Sequence, residues 1–570
     1  MYTASTAFLE ALTEAGISKI FANLGSDHPG IIEALAAGRV EGRRVPDLVT
    51  CPNEMVALSA AHGCAMTTGQ PQCVLVHVEC GTQALGGAVH NAAKGRVPVL
   101  IVAGASPYTQ EGELRGSRNE FIQWLQDVHD QRGIVRQYMR YDAEIRSGRN
   151  LKQMVSRALQ FATSEPRGPV YLMIAREVLE EEVPPVSLDR AEWPAVAPGG
   201  LAPESIEEIT AVLLGAHRPL VVTSYLGRRP AAVTELVKLC RRLGMGVLDS
   251  VPHTVNFPAD EPLYQGCWWN EPAQNQALGE ADVVLVIDSD VPWVPTVTRP
   301  RPDATVLHID SDPLKEAMPL WYIRARGVYR ADSFTSLRQI NARLDRAAVD
   351  NHAVADRIAQ SAERRRDRVE ALYSREVPEG DTITVPYLVS RLRGRLDADC
   401  VVLNESITNY GTVVSHLMST RPASMFTSGG GSLGWNGGAA IGAKLAQPDK
   451  TVVAIGGDGS YMFSIPSTVH WMARQYRAPF LQIVLNNRGW RAPKFSMLAV
   501  HPKGYASGAN EIGVTFDPPP DYAGIAAAAG GALGLKVERA DELEAALEAG
   551  FRAVREEGRA AVLDVWLAHL

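Results

Sequence analysis

Short apolar runs rich in β-branched residues recur along the chain at 73–78, 97–103, 169–174, 220–223, 283–287, 305–309, 401–403, 451–455, 480–485 and 561–566, with helix-length stretches between many of them. Runs this short, without alternation, read as strands buried on both faces, as in a parallel sheet covered by helices. Two interruptions divide the series: a Pro-rich stretch over 183–203 that reads as a linker, and a charged helical crossing over about 347–379. The pattern predicts an α/β protein of three consecutive doubly wound domains with parallel sheets, over residues 1–185, 200–345 and 380–570.

Length agrees, since 570 residues exceed one core and suggest about three or four domains. The 46% hydrophobic and 21% charged residues are those of a soluble globular protein. A net charge of −8 and the absence of a dense Lys/Arg stripe exclude a nucleic-acid surface; Arg364, Arg365 and Arg366 lie in the mixed-charge helical crossing and face solvent. Seven cysteines form no metal-type pairs, and several sit in apolar runs as small hydrophobes. No run reaches membrane-spanning length and the N-terminus lacks a basic region followed by an apolar core, so the expected location is the cytoplasm, with no membrane partner.

The candidate chemistry lies at two strand ends. Gly457-Asp458-Gly459 follows the run 451–455, and Asn486-Asn487 ends the run 480–485. Ligands of parallel sheets sit beyond the carboxyl ends of the strands. There Asp458 offers a carboxylate oxygen, Asn487 an amide oxygen and Gly489 a main-chain carbonyl, a set that suits Mg²⁺ shared with phosphate oxygens. Gly457 and Gly459 let the backbone approach a diphosphate, and a helix starting near Ser460 favours the anion. Singly, these features mark a turn and a strand end; together they form the pattern of a thiamine diphosphate site. Such a site needs a second carboxylate against the cofactor's pyrimidine ring. Glu54 is the candidate, after the turn Cys51-Pro52-Asn53 and at the head of a small-residue helix over 55–65.

With Glu54 and its Ala-rich helix, the segment Gly429-Gly430-Gly431-Ser432-Leu433-Gly434-Trp435, and Gly457-Asp458-Gly459 through Asn487, the chain resembles the thiamine diphosphate-dependent decarboxylase and acetolactate synthase superfamily over essentially its whole length. The resemblance implies pyrimidine-binding, central and diphosphate-binding domains in that order, and a homodimer with shared active sites that pairs into a homotetramer. It makes Leu433 the side chain that bends the cofactor, and Gly431, Ser432, Ser460 and Trp490 further cofactor contacts. Gly429, Gly431 and Gly434 also fit a G-x-G-x-x-G dinucleotide fingerprint, which the longer pattern explains better.

Within the superfamily the motifs are most similar to benzoylformate decarboxylase. Asn23-Leu24-Gly25-Ser26 is similar to its first active-site loop, which implies Ser26 as a substrate contact; His77 falls at the position of a catalytic histidine, and Phe463-Ser464-Ile465 after the metal Asp is also similar. Histidine suits proton transfer near neutrality. His28 reads equally as a second relay group or a loop residue. Gln126 stands where acetolactate synthase-like enzymes carry a Phe-Gln-Glu segment, with Leu125 in place of the Phe. Two departures stand out. The central segment over 289–293 lacks the further histidine of the benzoylformate enzymes, and the segment after Asn487 brings Arg491 and Lys494, which could neutralise an acidic substrate. Tyr225-Leu226-Gly227-Arg228-Arg229 is not a convincing flavin loop, and Arg228 is as well placed for a nucleotide phosphate, which leaves FAD or a CoA/ADP nucleotide open without supporting either. The resemblance implies a thiamine diphosphate- and Mg²⁺-dependent lyase acting on a small-molecule 2-oxo acid. A 2-hydroxyacyl-CoA lyase or oxalyl-CoA decarboxylase-like enzyme acting on an acyl-CoA, and an acetolactate synthase-like carboligase, are the alternatives.

Overall fold

Among the described residues, all ten apolar runs form strands, and eight further strands complete three six-stranded sheets in which every pairing is parallel. The molecule is described from a computed structural model covering residues 2–509 and 512–570. In order across the first sheet lie Asp47–Thr50, Lys19–Ala22, Gln72–Val76, Val99–Ala105, Val170–Ala175 and Tyr141–Ile145. Numbered along the chain, that order is 2-1-3-4-6-5, and the third sheet, from Cys400–Glu405 to Ala561–Trp566, repeats it. The middle sheet has the order 3-2-1-4-5-6. The predicted charged crossing is the helix Asn351–Ser374.

Each order contains a point where neighbouring strands send their connections to opposite faces and leave a crevice. In the first sheet this lies between Lys19–Ala22 and Gln72–Val76, in the middle sheet between Pro219–Thr223 and Val283–Ile287, and in the third between Cys400–Glu405 and Thr451–Gly457. The chain therefore leaves its first and third sheets beside Asn23 and His77, and beside Glu405 and Asp458.

The first and third domains share one core. The helix Glu54–Thr68 packs against the helix Trp435–Ala446, and Val56, Ala57 and Ala60 meet Ala439, Ala440 and Ala443 in a continuous apolar cluster. Small residues permit the approach: a Cβ on Gly442 would lie 1.8 Å from the Ala60 carbonyl oxygen, and one on Gly63 2.2 Å from that of Ala439.

Two local expectations are corrected. The first-domain run stops at Val76, and a short helix begins at Val78, so His77 lies in the turn between them. The helix expected from near Ser460 begins at Asp458 itself, ends at Phe463, and is followed by a separate helix, Pro466–Gln475.

Candidate active site

The first-domain crevice gathers Asn23, Ser26, Asp27, His28, Glu54, His77 and Gln126. Glu54 is the first residue of its helix, behind the Asn53 cap whose side chain accepts from Val56 N–H at 3.2 Å. Its carboxylate is buried and accepts from Asn23 Nδ2 at 2.8 Å. His77 Nδ1 lies 2.6 Å from Asp27 Oδ1, and His77 Nε2 lies 3.1 Å from Gln126 Oε1. The second Asp27 oxygen accepts from Val78 N–H at 3.1 Å, and Val78 takes a φ of +31°, a strained setting for a β-branched residue. The hydrogen bond that His77 donates to Asp27 raises the His77 pKa above its ordinary value against the opposing effect of partial burial. Burial works against the charge of Asp27 too, yet the neighbouring His28 and the His77 hydrogen bond hold its pKa below the usual range. His28 is wholly buried, which pushes its pKa down; its Nδ1 faces Gly25 N–H at 3.0 Å, and its Nε2 has no partner. Ser26 Oγ and Gln126 Nε2 are also buried without a partner.

The third-domain crevice is built around Asp458. Strands Thr451–Gly457 and Leu481–Asn486 pair with Gly457 opposite Leu485, which carries Asp458 and Asn487 to the same sheet edge. Asp458 Oδ1 accepts from Gly459 N–H at 2.8 Å and Oδ2 from Gly489 N–H at 3.0 Å. Burial raises its pKa to about 6, against the lowering effect of these hydrogen bonds. Gly489 has a φ of +156°, and a Cβ there would lie 2.1 Å from the Val514 carbonyl oxygen. A Cβ on Gly457 would meet open space, whereas the position over Gly459 is taken by the Trp490 indole, 2.2 Å from such an atom. Ser460 Oγ donates to the Glu405 carbonyl at 3.3 Å. Glu405 itself caps the helix Trp435–Ala446, accepting from Trp435 N–H at 3.1 Å and Asn436 N–H at 2.9 Å, and burial pushes its pKa up to about 7. Ahead of that helix, Leu433 is half-buried. Gly431 N–H donates to His90 Nε2 and Ser432 N–H to Asn91 Oδ1, which ties this loop to the first domain.

Residues 2–134, 206–317 and 406–565 match, in that order, the N-terminal TPP binding domain, the central domain and the C-terminal TPP binding domain of thiamine pyrophosphate enzymes. The chain belongs to this family. It is 25% identical to sulfoacetaldehyde acetyltransferase of Castellaniella defragrans, over 99% of this chain and 93% of that one. It is 24% identical to benzoylformate decarboxylase of Pseudomonas aeruginosa, over 85% and 86%. Among solved structures, thiamine diphosphate-dependent 4-hydroxybenzoylformate decarboxylase of Rhodococcus jostii RHA1 superposes with a TM-score of 0.78 at 21% identity, over 100% of this chain and 99% of that one.

The residues of this thiamine pyrophosphate enzyme fit the cofactor chemically. The first crevice holds a buried carboxylate and unpartnered polar atoms on Ser26, His28 and Gln126, and the other pairs a carboxylate with an amide beside open space at Gly457. Among the described residues, the hydrogen bonds of Glu54, His77 and Asp27 and those of Asp458 have no residue in common. A cavity of about 330 Å³ opens beside Glu405, lined by His90, Lys94, His253, Trp269 and Tyr410, with the Trp269 and Tyr410 rings stacked 3.7 Å apart. His253, from the central domain, lines this cavity with its pKa lowered by burial to about 4.

A larger groove of about 470 Å³ lies at the middle-sheet crevice. Its four arginines are already matched: Arg96 lies 2.6 Å from Asp290, Arg167 3.4 Å and Arg228 3.6 Å from Glu165, and Arg229 3.2 Å from Asp332. Asp288 also lines it, held by Ser333 Oγ at 2.7 Å. Arg491 and Lys494 lie on the helix Arg491–Val500, which has no buried residue. Sequence reasoning missed Asp27, Glu405 and His253, of which only Asp27, next to Ser26, sat beside a recognised motif; Asn23 was named only as the start of the loop Asn23-Leu24-Gly25-Ser26. No helix among the described residues is long and apolar enough to cross a membrane.

Proposed function

We propose that the protein is a thiamine diphosphate- and Mg²⁺-dependent lyase that breaks the bond between the carbonyl and carboxylate carbons of a 2-oxo acid, releasing CO₂ and an aldehyde or a ligated 2-hydroxy ketone. The observation that carries this reading is the placement of a buried carboxylate beside a titratable histidine at one crevice, and of the Asp458–Asn487 pair at its topological equivalent. When bound, the cofactor supplies an electron sink for the bond that breaks. Glu54 would hold its pyrimidine ring nitrogen, and Asp458, Asn487 and the Gly489 carbonyl would hold Mg²⁺. Gly457, Gly459 and Ser460 would border the diphosphate, and Gly431, Ser432, Leu433 and Trp490 the rings. His77 gives or takes a proton at Nε2, and the unpartnered Ser26 Oγ and Gln126 Nε2 offer hydrogen bonds to a substrate carboxylate or hydroxyl. The stacked Trp269–Tyr410 wall favours a large or aromatic substrate.

The decisive assay offers benzoylformate, pyruvate and a 2-hydroxyacyl-CoA in parallel, with thiamine diphosphate and Mg²⁺, and follows CO₂ and formyl-CoA. CO₂ is the expected product, with benzoylformate the better oxo acid. Formyl-CoA without CO₂ would transfer the assignment to acyl-CoA cleavage.

The two half-sites belong to one active centre shared by two chains, in a homodimer that pairs again. Exposed apolar side chains flank both halves: Phe121, Trp124 and Leu125 before Gln126, and Met462 and Phe463 after Asp458. Co-expressing Glu54→Gln and Asp458→Asn chains is expected to restore about a quarter of parental activity, because half of the randomly paired dimers carry one intact site. No activity above that of either variant alone would place both halves of a site on one chain.

A further inference from the structure

One charged group in the first half-site has no part in this chemistry so far. Asp27 is 1% exposed, and its two oxygens are occupied by His77 Nδ1 at 2.6 Å and Val78 N–H at 3.1 Å. The surroundings are shaped to admit this pair. A Cβ on Gly104 would lie 1.7 Å from Asp27 Oδ2, and one on Gly25 1.9 Å from His77 Nδ1, so both positions must lack a side chain while the carboxylate and the ring stay in place. His28 Nδ1 is also 3.1 Å from Asp27 Oδ1, but that nitrogen accepts from Gly25 N–H. A neutral His28 then carries its proton at Nε2, and Asp27 is left with His77 as its side-chain donor.

We propose that Asp27 is a positioning residue for proton transfer: it fixes the His77 ring with Nδ1 protonated, so that Nε2, facing Gln126, is the atom that takes up and releases the proton. This rests on the reading of His77 as the proton-transfer group. Gln126 completes the arrangement. Its Oε1 can accept from a protonated His77 Nε2, while its Nε2, which has no other partner, can donate to a neutral ring once the amide turns over. The charged and titratable groups that act on His77 are Asp27, His28 and Glu54.

The test uses the full chain with Asp27→Asn and, because a buried substitution can unfold a protein, also Gly104→Ala, which displaces the carboxylate without changing its charge. ¹⁵N-histidine NMR of the resting protein, with His77 assigned through His77→Ala, is expected to show a protonated Nδ1 in the parent and a mixed or inverted tautomer in both variants. With the oxo acid that turns over, kcat is expected to fall about 10²-fold with KM changed by less than about threefold, and the pH limb set by His77 to move to lower pH. An unchanged tautomer and an unchanged pH profile in both variants would overturn the proposal. A parent protein with no turnover on any substrate fails the lyase reading instead, and the tautomer signal still decides whether Asp27 holds His77.

Discussion

Glu54→Gln is expected to leave a folded protein that still binds thiamine diphosphate and Mg²⁺ but turns over about 10²–10⁴-fold more slowly. The substitution preserves shape and keeps an oxygen to accept from Asn23 Nδ2, 2.8 Å from Glu54 Oε1. What it removes is the capacity to hold and exchange a proton. The structural part of Glu54, an acidic residue in the first turn of its helix, contributes only about 0.3–1 kcal/mol, so the melting temperature should change little. Circular dichroism with single-turnover CO₂ release separates the two roles. Parental rates in a folded Glu54→Gln protein would remove the carboxylate from the mechanism.

Asp458→Asn should show the opposite separation, with the loss falling on affinity. In the apoprotein, burial raises the Asp458 pKa to about 6, so the folded state binds more protons than the unfolded state between the ordinary carboxylate range and pH 6. Stability therefore falls as pH rises through that window, and ionised Asp458 at neutral pH is a local cost that a divalent cation would relieve. The Asn variant lacks this charge. Its apoprotein should melt at or above the parental temperature at pH 7, while the stabilisation given by thiamine diphosphate with Mg²⁺ disappears. In the parent, protonation competes with the metal, so apparent affinity should drop about tenfold per pH unit below about pH 6. Thermal-shift titrations at three pH values check both statements. A parental ligand-induced shift in Asp458→Asn would exclude this carboxylate as the metal anchor.

The sequence revealed the centres of the sheets and concealed their margins. Runs such as Val283–Ile287 and Ala561–Trp566 are covered on both faces and show as continuous apolar stretches, and the structure reproduces them residue for residue. All six edge strands escaped notice. Tyr141–Ile145 and Gly327–Arg330 are half-exposed and carry charged residues, as strands at a sheet margin commonly do, so no apolar run marks them. Two inner strands were also missed: Lys19–Ala22, which opens on a charged residue, and Gly246–Ser250, whose apolar pair is flanked by Gly246 and Asp249.

The same division holds at the site. Asp458 and Asn487 were legible because each stands at the end of an apolar run, and Glu54 because a turn and a small-residue helix frame it. Asp27 meets His77 across 50 positions, and Glu405 caps a helix 30 positions away. His253 reaches its cavity only through the packing of three domains. Nothing local foretells such meetings.

The glycine-lined contact between the helices Glu54–Thr68 and Trp435–Ala446 bears on how the protein can change. Glu54 heads one helix and the Leu433 loop leads into the other, so each chain would carry on one rigid chassis the activating carboxylate of one shared centre and the cofactor-bending residue of the other. The helix Arg491–Val500 has no buried residue, and substitutions along it should cost about 0.5 kcal/mol or less. Changes at positions 491–500 can therefore accumulate while the packed pair of helices that carries Glu54 and the Leu433 loop stays as it is.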